Sequence, residues 1–334
     1  MKVSKVVIIG SGSWGTALAS LVASGCDEVC LVSRSTEVAD SINQRGVNSK
    51  YLRDLKLPSN VCSTTELSKA CEADILVLAI PTSAIRETSR SLSAQGLPAH
   101  IPIVTVSKGI ERGSGLRMTE IIGEELPHNT VAVLSGPNHA EEVARQLPTC
   151  TVIGCEDIET ATMLQALFKS PSFRSYTSSD LIGIEWGGAM KNVFAIAAGI
   201  AKGLNLGDNA ISALVTRGLA EMTRVGETLG ADPQTFAGLS GLGDLVTTCY
   251  SPHSRNHQVG LALARGLTVQ QAEQLLGMVA EGVKNTQSIY EKAQELSLDT
   301  PLIQAVYSII YENLEPQQVI QDLFLREPKS ETMV

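Results

Sequence analysis

A glycine-rich turn near the start of the chain is the feature that most constrains its fold. An apolar run at 5–9 leads directly into Gly10-x-Gly12-x-x-Gly15, and a helical pattern follows. In this strand–turn–helix context, Gly10 permits the tight turn, Gly12 lets a pyrophosphate approach the backbone, and Gly15 lets the helix pack close to the strand. The N–H groups at the start of the helix then face the phosphates. The motif therefore predicts dinucleotide binding.

The residues after the second strand bear on which dinucleotide is bound. In NAD-binding proteins an acidic residue commonly ends this strand and binds the ribose 2′-hydroxyl. Here the strand ends at Ser33 and Arg34, so the acid is missing. Arg34 can meet a 2′-phosphate, which predicts that NADP(H) is accepted. The alternative is that Arg34 is a solvated surface residue.

The hydrophobic pattern changes period midway along the 334 residues. Short apolar runs alternate with helical patterns in the first half, and this indicates βαβ units with a mostly parallel sheet. The predicted strands are 5–10, 28–33, 61–64, 74–80, 103–107, 130–134, 150–154 and 173–176. After about residue 180 the period is 3.6, and only helices are predicted.

The pattern predicts an α/β fold in which a Rossmann-type, doubly wound, mostly parallel sheet precedes an all-helical C-terminal domain. The predicted boundaries are 1–178 for the dinucleotide-binding domain, 179–325 for the helical substrate and catalytic domain, and 326–334 for a loose tail.

Composition excludes several classes of function. The net charge is −9, whereas nucleic-acid-binding proteins usually carry a basic surface. The seven scattered cysteines form no C-x-x-C pair, which is typical of free thiols in a cytoplasmic protein. The apolar stretch 181–204 carries charges near its centre, and each would cost about 2.5–3.5 kcal/mol in a bilayer. We therefore predict a buried helix there, with no membrane span.

Lys191 stands midway along that apolar helix. A lysine is almost never fully buried without a partner. Its neighbours one turn away are Gly187, Gly188 and Ala195, which leave room for a ligand beside the ammonium. The alternative is that the side chain reaches the surface.

Other polar residues follow predicted strands directly. Lys108 comes after the strand at 103–107, and the turn at 135–140 comes after the strand at 130–134. The carboxyl ends of parallel strands are where doubly wound folds bind ligands. A surface-loop position is the alternative for Lys108.

The segment 238–257 is rich in glycine and hydrogen-bonding side chains. Its Asp244 and Arg255 suit a small phosphorylated polyhydroxy ligand, since a guanidinium can hold phosphate bidentately. A solvated loop is the alternative.

Cys249, His253 and His257 have the spacing of a helical zinc site. However, Pro252 breaks the helical phase, so no metal site is predicted.

In combination these motifs resemble the bacterial-type NAD(P)-dependent glycerol-3-phosphate dehydrogenases, over about residues 5 to 325. The motifs that carry the resemblance are Gly10-x-Gly12-x-Trp14-Gly15-Thr16-Ala17, Ser107-Lys108-Gly109-Ile110, Ser135-Gly136-Pro137, Ala140-Glu141-Glu142-Val143-Ala144, Gly188-Ala189-Met190-Lys191-Asn192-Val193, Gly241-Leu242-Gly243-Asp244-Leu245, Thr248-Cys249 with Ser254-Arg255-Asn256, and Glu281-Gly282-Val283.

The resemblance implies reversible reduction of dihydroxyacetone phosphate to sn-glycerol 3-phosphate with NAD(H) or NADP(H), for phospholipid synthesis, in a cytoplasmic homodimer. It implies Lys191 as the catalytic acid/base, and our mechanistic hypothesis is that Asp244 and Asn192 orient it. The implied substrate-binding residues are Lys108, Gly136, Asn138, Lys191, Asn192, Asp244, Thr248, Ser254, Arg255 and Asn256. The implied cofactor-binding residues are Gly10, Gly12, Ser13, Trp14, Gly15, Arg34, Lys108, Ala140, Arg255, Val279 and Glu281.

Two other functions stay open at this point. Another two-domain NAD(P)-dependent hydroxyacid or sugar-acid dehydrogenase would share the layout and a helix-borne lysine. A non-catalytic nicotinamide sensor would keep the glycine loop, but it would not need Lys191, Lys108 and Arg255.

Overall fold

The computed structural model describes residues 3–277, 280–328 and 330–331. The chain divides into two compact units. The sheet unit comprises the residues up to Ser107 together with Met118–Leu181, and the helical unit comprises Lys108–Arg117 together with the residues from Ile182 onward. The segment Lys108–Arg117 falls within the predicted dinucleotide-binding domain at 1–178, but in the structure it belongs to the helical unit. The predicted loose tail at 326–334 lies partly outside the described residues.

The sheet unit contains one sheet in the order β3-β2-β1-β4-β5-β6-β7-β8. Its strands are β1 (Lys5–Ile9), β2 (Glu28–Val32), β3 (Val61–Thr64), β4 (Ile75–Leu78), β5 (Ile103–Thr105), β6 (Val131–Ser135), β7 (Thr149–Gly154) and β8 (Phe173–Ser178). All neighbours are parallel except β6 and β7. The order reverses at β1, so the glycine turn lies at the topological switch point, where such folds bind ligands.

Helices alternate with these strands along the chain. They are α1 (Ser13–Val22), α2 (Thr36–Arg45), α3 (Ile85–Ala94), α4 (Met118–Glu125), α5 (Ala140–Ala144) and α6 (Ile158–Leu167). The central strands are almost wholly buried, and side chains such as Val6, Ile8, Leu31 and Val77 form the core with α1. The predicted doubly wound, mostly parallel sheet is confirmed.

The helical unit has helices only from α7 onward in its described residues. They are α7 (Leu181–Gly203), α8 (Asp208–Thr228), α9 (Pro233–Phe236), α10 (Asp244–Tyr250), α11 (Arg255–Leu263), α12 (Val269–Leu276), α13 (Glu281–Glu295), α14 (Pro301–Tyr311) and α15 (Pro316–Phe324). The long helix α7 is buried on nearly every side and forms the centre of this core. Within the described ranges, no helix is both long enough and apolar enough to cross a membrane.

Candidate active site

The glycine turn is shaped by two contacts that only glycine permits. Gly10 has φ +113°, and a Cβ there would lie 2.2 Å from the carbonyl oxygen of Ala79. A Cβ on Gly15 would lie 1.9 Å from the carbonyl oxygen of Gly10. Both substitutions therefore require the backbone to move. The two glycines allow α1 to begin directly against the ends of β1 and β4.

Gly12 differs from these two because the space around it is open. Gly12 is the N-cap of α1, and no side chain caps the free N–H groups of that helix. A Cβ added at Gly12 would meet nothing within 4 Å. Ser13 and Trp14, also predicted to contact cofactor, are the first two residues of α1. An uncapped helix N-terminus with open space before it suits a pyrophosphate, so the turn fits the dinucleotide that the motif predicts.

A buried asparagine that the sequence analysis missed supports the turn. The amide of Asn48 donates to the carbonyl oxygen of Ser11 at 2.9 Å and to Oγ1 of Thr16 at 2.8 Å. Its own oxygen accepts from the backbone of Lys50 and Tyr51. Asn48 follows α2 in a polar turn, and nothing in that local sequence separates it from an ordinary loop residue.

The other predicted residues of the sheet unit lie beyond the carboxyl ends of strands. Arg34 follows β2 and is exposed. Gly136 follows β6 with φ +135°, and the amide of Asn138 lies 3.4 Å from Oγ1 of Thr151. Ala140 begins α5.

The helical unit brings three charged side chains together. Lys191 Nζ donates to Asp244 Oδ1 at 2.6 Å and to Thr248 Oγ1 at 2.8 Å. Lys108 Nζ donates to the other carboxylate oxygen of Asp244 at 2.7 Å. The side chains of Lys191 and Asp244 are only 8% and 2% exposed. Lys191 is therefore a buried, paired ammonium, and it does not reach out to the surface.

Close packing of the turn before α10 against α7 positions Asp244 beside Lys191. A π-helical turn, Leu239–Gly243, precedes α10, and a Cβ on Gly187 of α7 would lie 2.7 Å from the carbonyl oxygen of Ser240 in that turn. Asp244 is the first residue of α10. Thr248 stands one turn later on the same face, and its hydroxyl donates to the Asp244 carbonyl at 2.6 Å.

The cluster carries one net positive charge when all three groups are ionised. Burial alone would raise the pKa of Asp244, but the attraction of Lys108 and Lys191 outweighs it and lowers that pKa. Burial lowers the pKa of Lys108 to about 8, against the opposing attraction of Asp244. A buried site with this charge favours an anionic ligand or an oxygen that gains negative charge.

A chain of amides begins at Asn192, the residue that follows Lys191 in the sequence. Asn256 Nδ2 donates to Asn192 Oδ1 at 2.9 Å, and the backbone N–H of Gly282 donates to Asn256 Oδ1 at 2.9 Å. A Cβ on Gly199 of α7 would lie 2.1 Å from the carbonyl oxygen of His257, so α11 runs very close to α7 and holds Asn256 beside Asn192.

The remaining predicted residues of this unit stand at helix starts. Ser254 caps α11 by accepting from the His257 N–H at 3.2 Å, and the exposed Arg255 is the first residue of that helix. Glu281 is the first residue of α13. Val279 lies outside the described residues.

The zinc-like spacing leads to no cluster of ligands. Cys249 is buried in α10, His253 is exposed before α11, and His257 is buried within α11. In the part of the chain that the structure describes, no three His, Cys, Asp or Glu side chains are grouped so that they could hold a metal ion.

The segment Lys108–Arg117 is tied into the helical unit at both ends. Asn285 of α13, fully buried, donates to the Lys108 carbonyl at 3.2 Å and accepts from the Ile110 N–H at 3.4 Å. At the other end, Arg117 pairs with the buried Glu185 of α7 at 2.7 Å. Asn285 is a second residue that the sequence analysis missed, because a single Asn in an amphipathic helix carries no signal of its partner.

We expect Asn285→Ala to loosen the segment that carries Lys108. The Lys108 carbonyl keeps a contact from the Asn192 amide at 3.5 Å, but the buried Ile110 N–H loses its partner, which costs about 1–3 kcal/mol. The free energy of unfolding should fall by that amount. The kcat/KM expected from the resemblance, for dihydroxyacetone phosphate reduction, should also fall because Lys108 loses its fixed position. Denaturant unfolding and steady-state kinetics measure both effects. Gln287→Ala, in the same helix but with an exposed partner, is the matched control, and equal kinetics in the two variants would contradict the assignment.

Known proteins match the chain across both units. The family model for the NAD-dependent glycerol-3-phosphate dehydrogenase N-terminus matches residues 5–161, and the model for the C-terminus of the same family matches residues 180–321. The chain belongs to the NAD-dependent glycerol-3-phosphate dehydrogenase family. The resemblance noted in the sequence is thus confirmed.

Individual members agree over almost the full length. The chain is 45% identical over 329 residues to glycerol-3-phosphate dehydrogenase [NAD(P)+] of Halalkalibacterium halodurans, covering 98% of this chain and 95% of the relative. The crystal structure of glycerol-3-phosphate dehydrogenase from Coxiella burnetii has a TM-score of 0.92 at 37% identity, covering 97% and 99% of the two chains. The Saccharomyces cerevisiae enzyme has a TM-score of 0.85 at 29% identity, with the same two coverages.

Proposed function

We propose that this chain catalyses the reversible reduction of dihydroxyacetone phosphate to sn-glycerol 3-phosphate with NADH or NADPH. The observation that carries the proposal is the buried Lys191–Asp244–Thr248 contact, in a chain of a family whose members are named for this dehydrogenase activity. The sheet unit provides the glycine turn for the cofactor. When bound, the reduced nicotinamide supplies the hydride.

Lys191 is the proton donor in this proposal. Hydride addition to the C2 carbonyl places negative charge on its oxygen, and a nearby ammonium stabilises that charge and donates the proton. Asp244 and Thr248 use two of the three donors of Lys191 among the described contacts. They fix the direction of the remaining N–H, which is available to the substrate oxygen.

Lys108 and Arg255 serve the phosphate. Both are cations, and Lys108 is held beside Lys191 through the shared carboxylate of Asp244. Ser254 fixes the start of α11, where Arg255 is exposed and can reach a phosphate. The alternative, a hydroxyacid or sugar-acid dehydrogenase, is not favoured by relatives at 42–45% identity that are named glycerol-3-phosphate dehydrogenases.

The lowered pKa of Lys108 predicts an alkaline limb in the pH profile. The ammonium binds the phosphate only when protonated, so kcat/KM for reduction should fall as pH rises through about 8. Lys108→Met should remove a charged hydrogen bond worth about 1.5–3 kcal/mol, which lowers kcat/KM at pH 7 roughly 10- to 150-fold. It should also abolish the limb. Persistence of the same limb in Lys108→Met would assign it to another group, and Lys284→Met, at an exposed site on α13, is the control.

We expect Gly12→Ala to fold normally and to bind the cofactor poorly. The added methyl meets no protein atom within 4 Å, so the free energy of unfolding should change by less than about 1 kcal/mol. The methyl enters the space that the pyrophosphate needs, and the Kd for NADH should rise at least tenfold by calorimetric titration. Gly123→Ala in α4 is equally open and should leave the Kd unchanged. Unchanged affinity in Gly12→Ala would place the pyrophosphate elsewhere.

The activity itself is tested by following absorbance of reduced nicotinamide with a substrate panel. Dihydroxyacetone phosphate should be reduced with NADH and with NADPH, whereas unphosphorylated ketones, 2-keto acids and ketopantoate should be poor substrates. Turnover of a keto acid instead would favour the alternative dehydrogenase. Cofactor binding with no turnover of any substrate would favour the nicotinamide sensor.

The family also suggests the setting of the reaction. We propose that the product supplies glycerophospholipid synthesis and that the enzyme acts as a cytoplasmic homodimer. The free thiols of all seven cysteines fit a reducing compartment. Light scattering of the purified chain distinguishes a dimer from a monomer.

A further inference from the structure

Two cysteines lie side by side on neighbouring parallel strands of the sheet unit. Cys30 of β2 and Cys62 of β3 are partners in the strand register. Partnered residues project from the same face of a sheet, so the two thiols lie next to each other. Adjacent strands are about 4.7–4.9 Å apart, which is within the range of about 4.4–6.8 Å between the Cα atoms of bridged cysteines.

The surroundings of the two thiols differ. Cys30 is 3% exposed, whereas Cys62 is half-buried on β3, which is the edge strand of the sheet. The neighbouring Cys30 thiol lowers the pKa of Cys62, and Cys62 in turn raises the pKa of Cys30. Lys5 favours the Cys62 thiolate, while Glu28, 3.9 Å away, and burial oppose it. The accessible sulfur is thus the better nucleophile, and the buried one is placed to resolve it.

We propose that Cys30 and Cys62 form a reactive dithiol that low-molecular-weight disulfides oxidise to an intramolecular bond between β2 and β3. The Cys62 thiolate attacks one sulfur of the small disulfide, whose S–S bond breaks and releases one thiol. Cys30 then loses its proton and attacks Cys62 Sγ, which releases the second thiol. The protein loses two electrons and two protons, and the small disulfide gains them.

The bond so formed should be easily reduced. Cβ atoms on directly partnered parallel strands are separated by about the strand spacing of 4.7–4.9 Å, whereas relaxed disulfides place them about 3.5–4.5 Å apart. Closing the bond therefore strains the edge of the sheet, and strain raises the reduction potential. The site is a reversible modification site and not a structural crosslink. It is independent of the proposed reaction.

The test is to treat the wild-type protein with oxidised glutathione and to map its cysteines by mass spectrometry under non-reducing conditions. We expect a linked Cys30–Cys62 peptide pair, a mass loss of two hydrogen atoms, and full reversal by dithiothreitol. Cys150 is the internal control, because it is also half-buried on a strand but has Arg174 as its register partner. Equal reaction rates at Cys62 and Cys150, without a linked peptide, would overturn the proposal.

Two variants resolve the order of attack. Cys30→Ser should stop at a stable glutathione adduct on Cys62, whereas Cys62→Ser should give neither the adduct nor the link. Because Cys30 is buried and its variant can lose stability, phenylarsine oxide provides a second measurement on the wild-type protein. This reagent bridges two adjacent thiols, so it should protect Cys30 and Cys62 together from alkylation. Protection of neither, or of Cys62 alone, would contradict a dithiol.

Discussion

Replacing Lys191 by Met should lower kcat for dihydroxyacetone phosphate reduction by about 10²–10⁴-fold, the usual contribution of a general acid. The thioether keeps the length of the side chain but supplies neither charge nor proton. Cofactor affinity should change little, because the described contacts of Lys191 are to Asp244 and Thr248 within the helical unit, whereas the glycine turn belongs to the sheet unit. Single-turnover kinetics at 340 nm and a separate NADH titration measure the two effects.

Lys202→Met is the matched control, since Lys202 lies on the same helix but is exposed. It should retain wild-type kcat. Turnover near the wild-type value in Lys191→Met would remove Lys191 from the chemistry. A large loss of NADH affinity in the same variant would instead point to a cofactor-binding role.

Replacing Asp244 by Asn should have the largest effect on stability. The carboxylate is 2% exposed and pairs with both Lys108 and Lys191. Breaking a buried ion pair by removing one partner costs about 3–5 kcal/mol, because the remaining charges are left uncompensated. We therefore expect the free energy of unfolding at pH 7 to fall by about that amount, and kcat to fall because Lys191 loses its orientation. Denaturant unfolding across pH measures the first effect.

The pH dependence of that loss has a definite sign. The pKa of Asp244 is lowered in the folded state, so its contribution in the wild type is present above the normal carboxyl pKa and is lost only in acid. In Asp244→Asn the pKa of Lys108 falls below its wild-type value of about 8, because the carboxylate that raises it is gone. Lys108 can then lose its proton and relieve the repulsion, so the deficit should shrink as pH rises towards about 8 and stay constant above it. Asp208→Asn, at the exposed start of α8, is the control. A deficit below about 1 kcal/mol at every pH would show that the cluster does not depend on the carboxylate.

The strands could be predicted from the sequence because buried parallel strands are continuous apolar runs. Each predicted strand overlaps an observed one. Helices in glycine-rich stretches were harder to predict. Helix α10, for example, begins after Leu239–Gly243, and its position depends on the close approach of that turn to Gly187 of α7. Such tertiary contacts override the local preference for a loop.

The candidate site was predictable only in part. Lys191 could be singled out because a lysine in an apolar helix needs a partner, and it is indeed paired. The resemblance, and not the spacing, supplied Asp244 as that partner, since the two residues are 53 positions apart in sequence. Asn48 and Asn285 escaped prediction for the same reason. Their importance comes from backbone groups brought to them by folding.

The most direct measurement is the crystal structure of this chain with dihydroxyacetone phosphate and an oxidised nicotinamide cofactor. We expect Lys191 Nζ to lie within hydrogen-bond reach of the C2 oxygen, about 2.6–3.2 Å, while Asp244 still accepts from both lysines. We expect the phosphate to be held by Lys108 and Arg255. A phosphate on Lys191, with the carbonyl oxygen bound by another residue, would contradict the assignment of Lys191 as the proton donor.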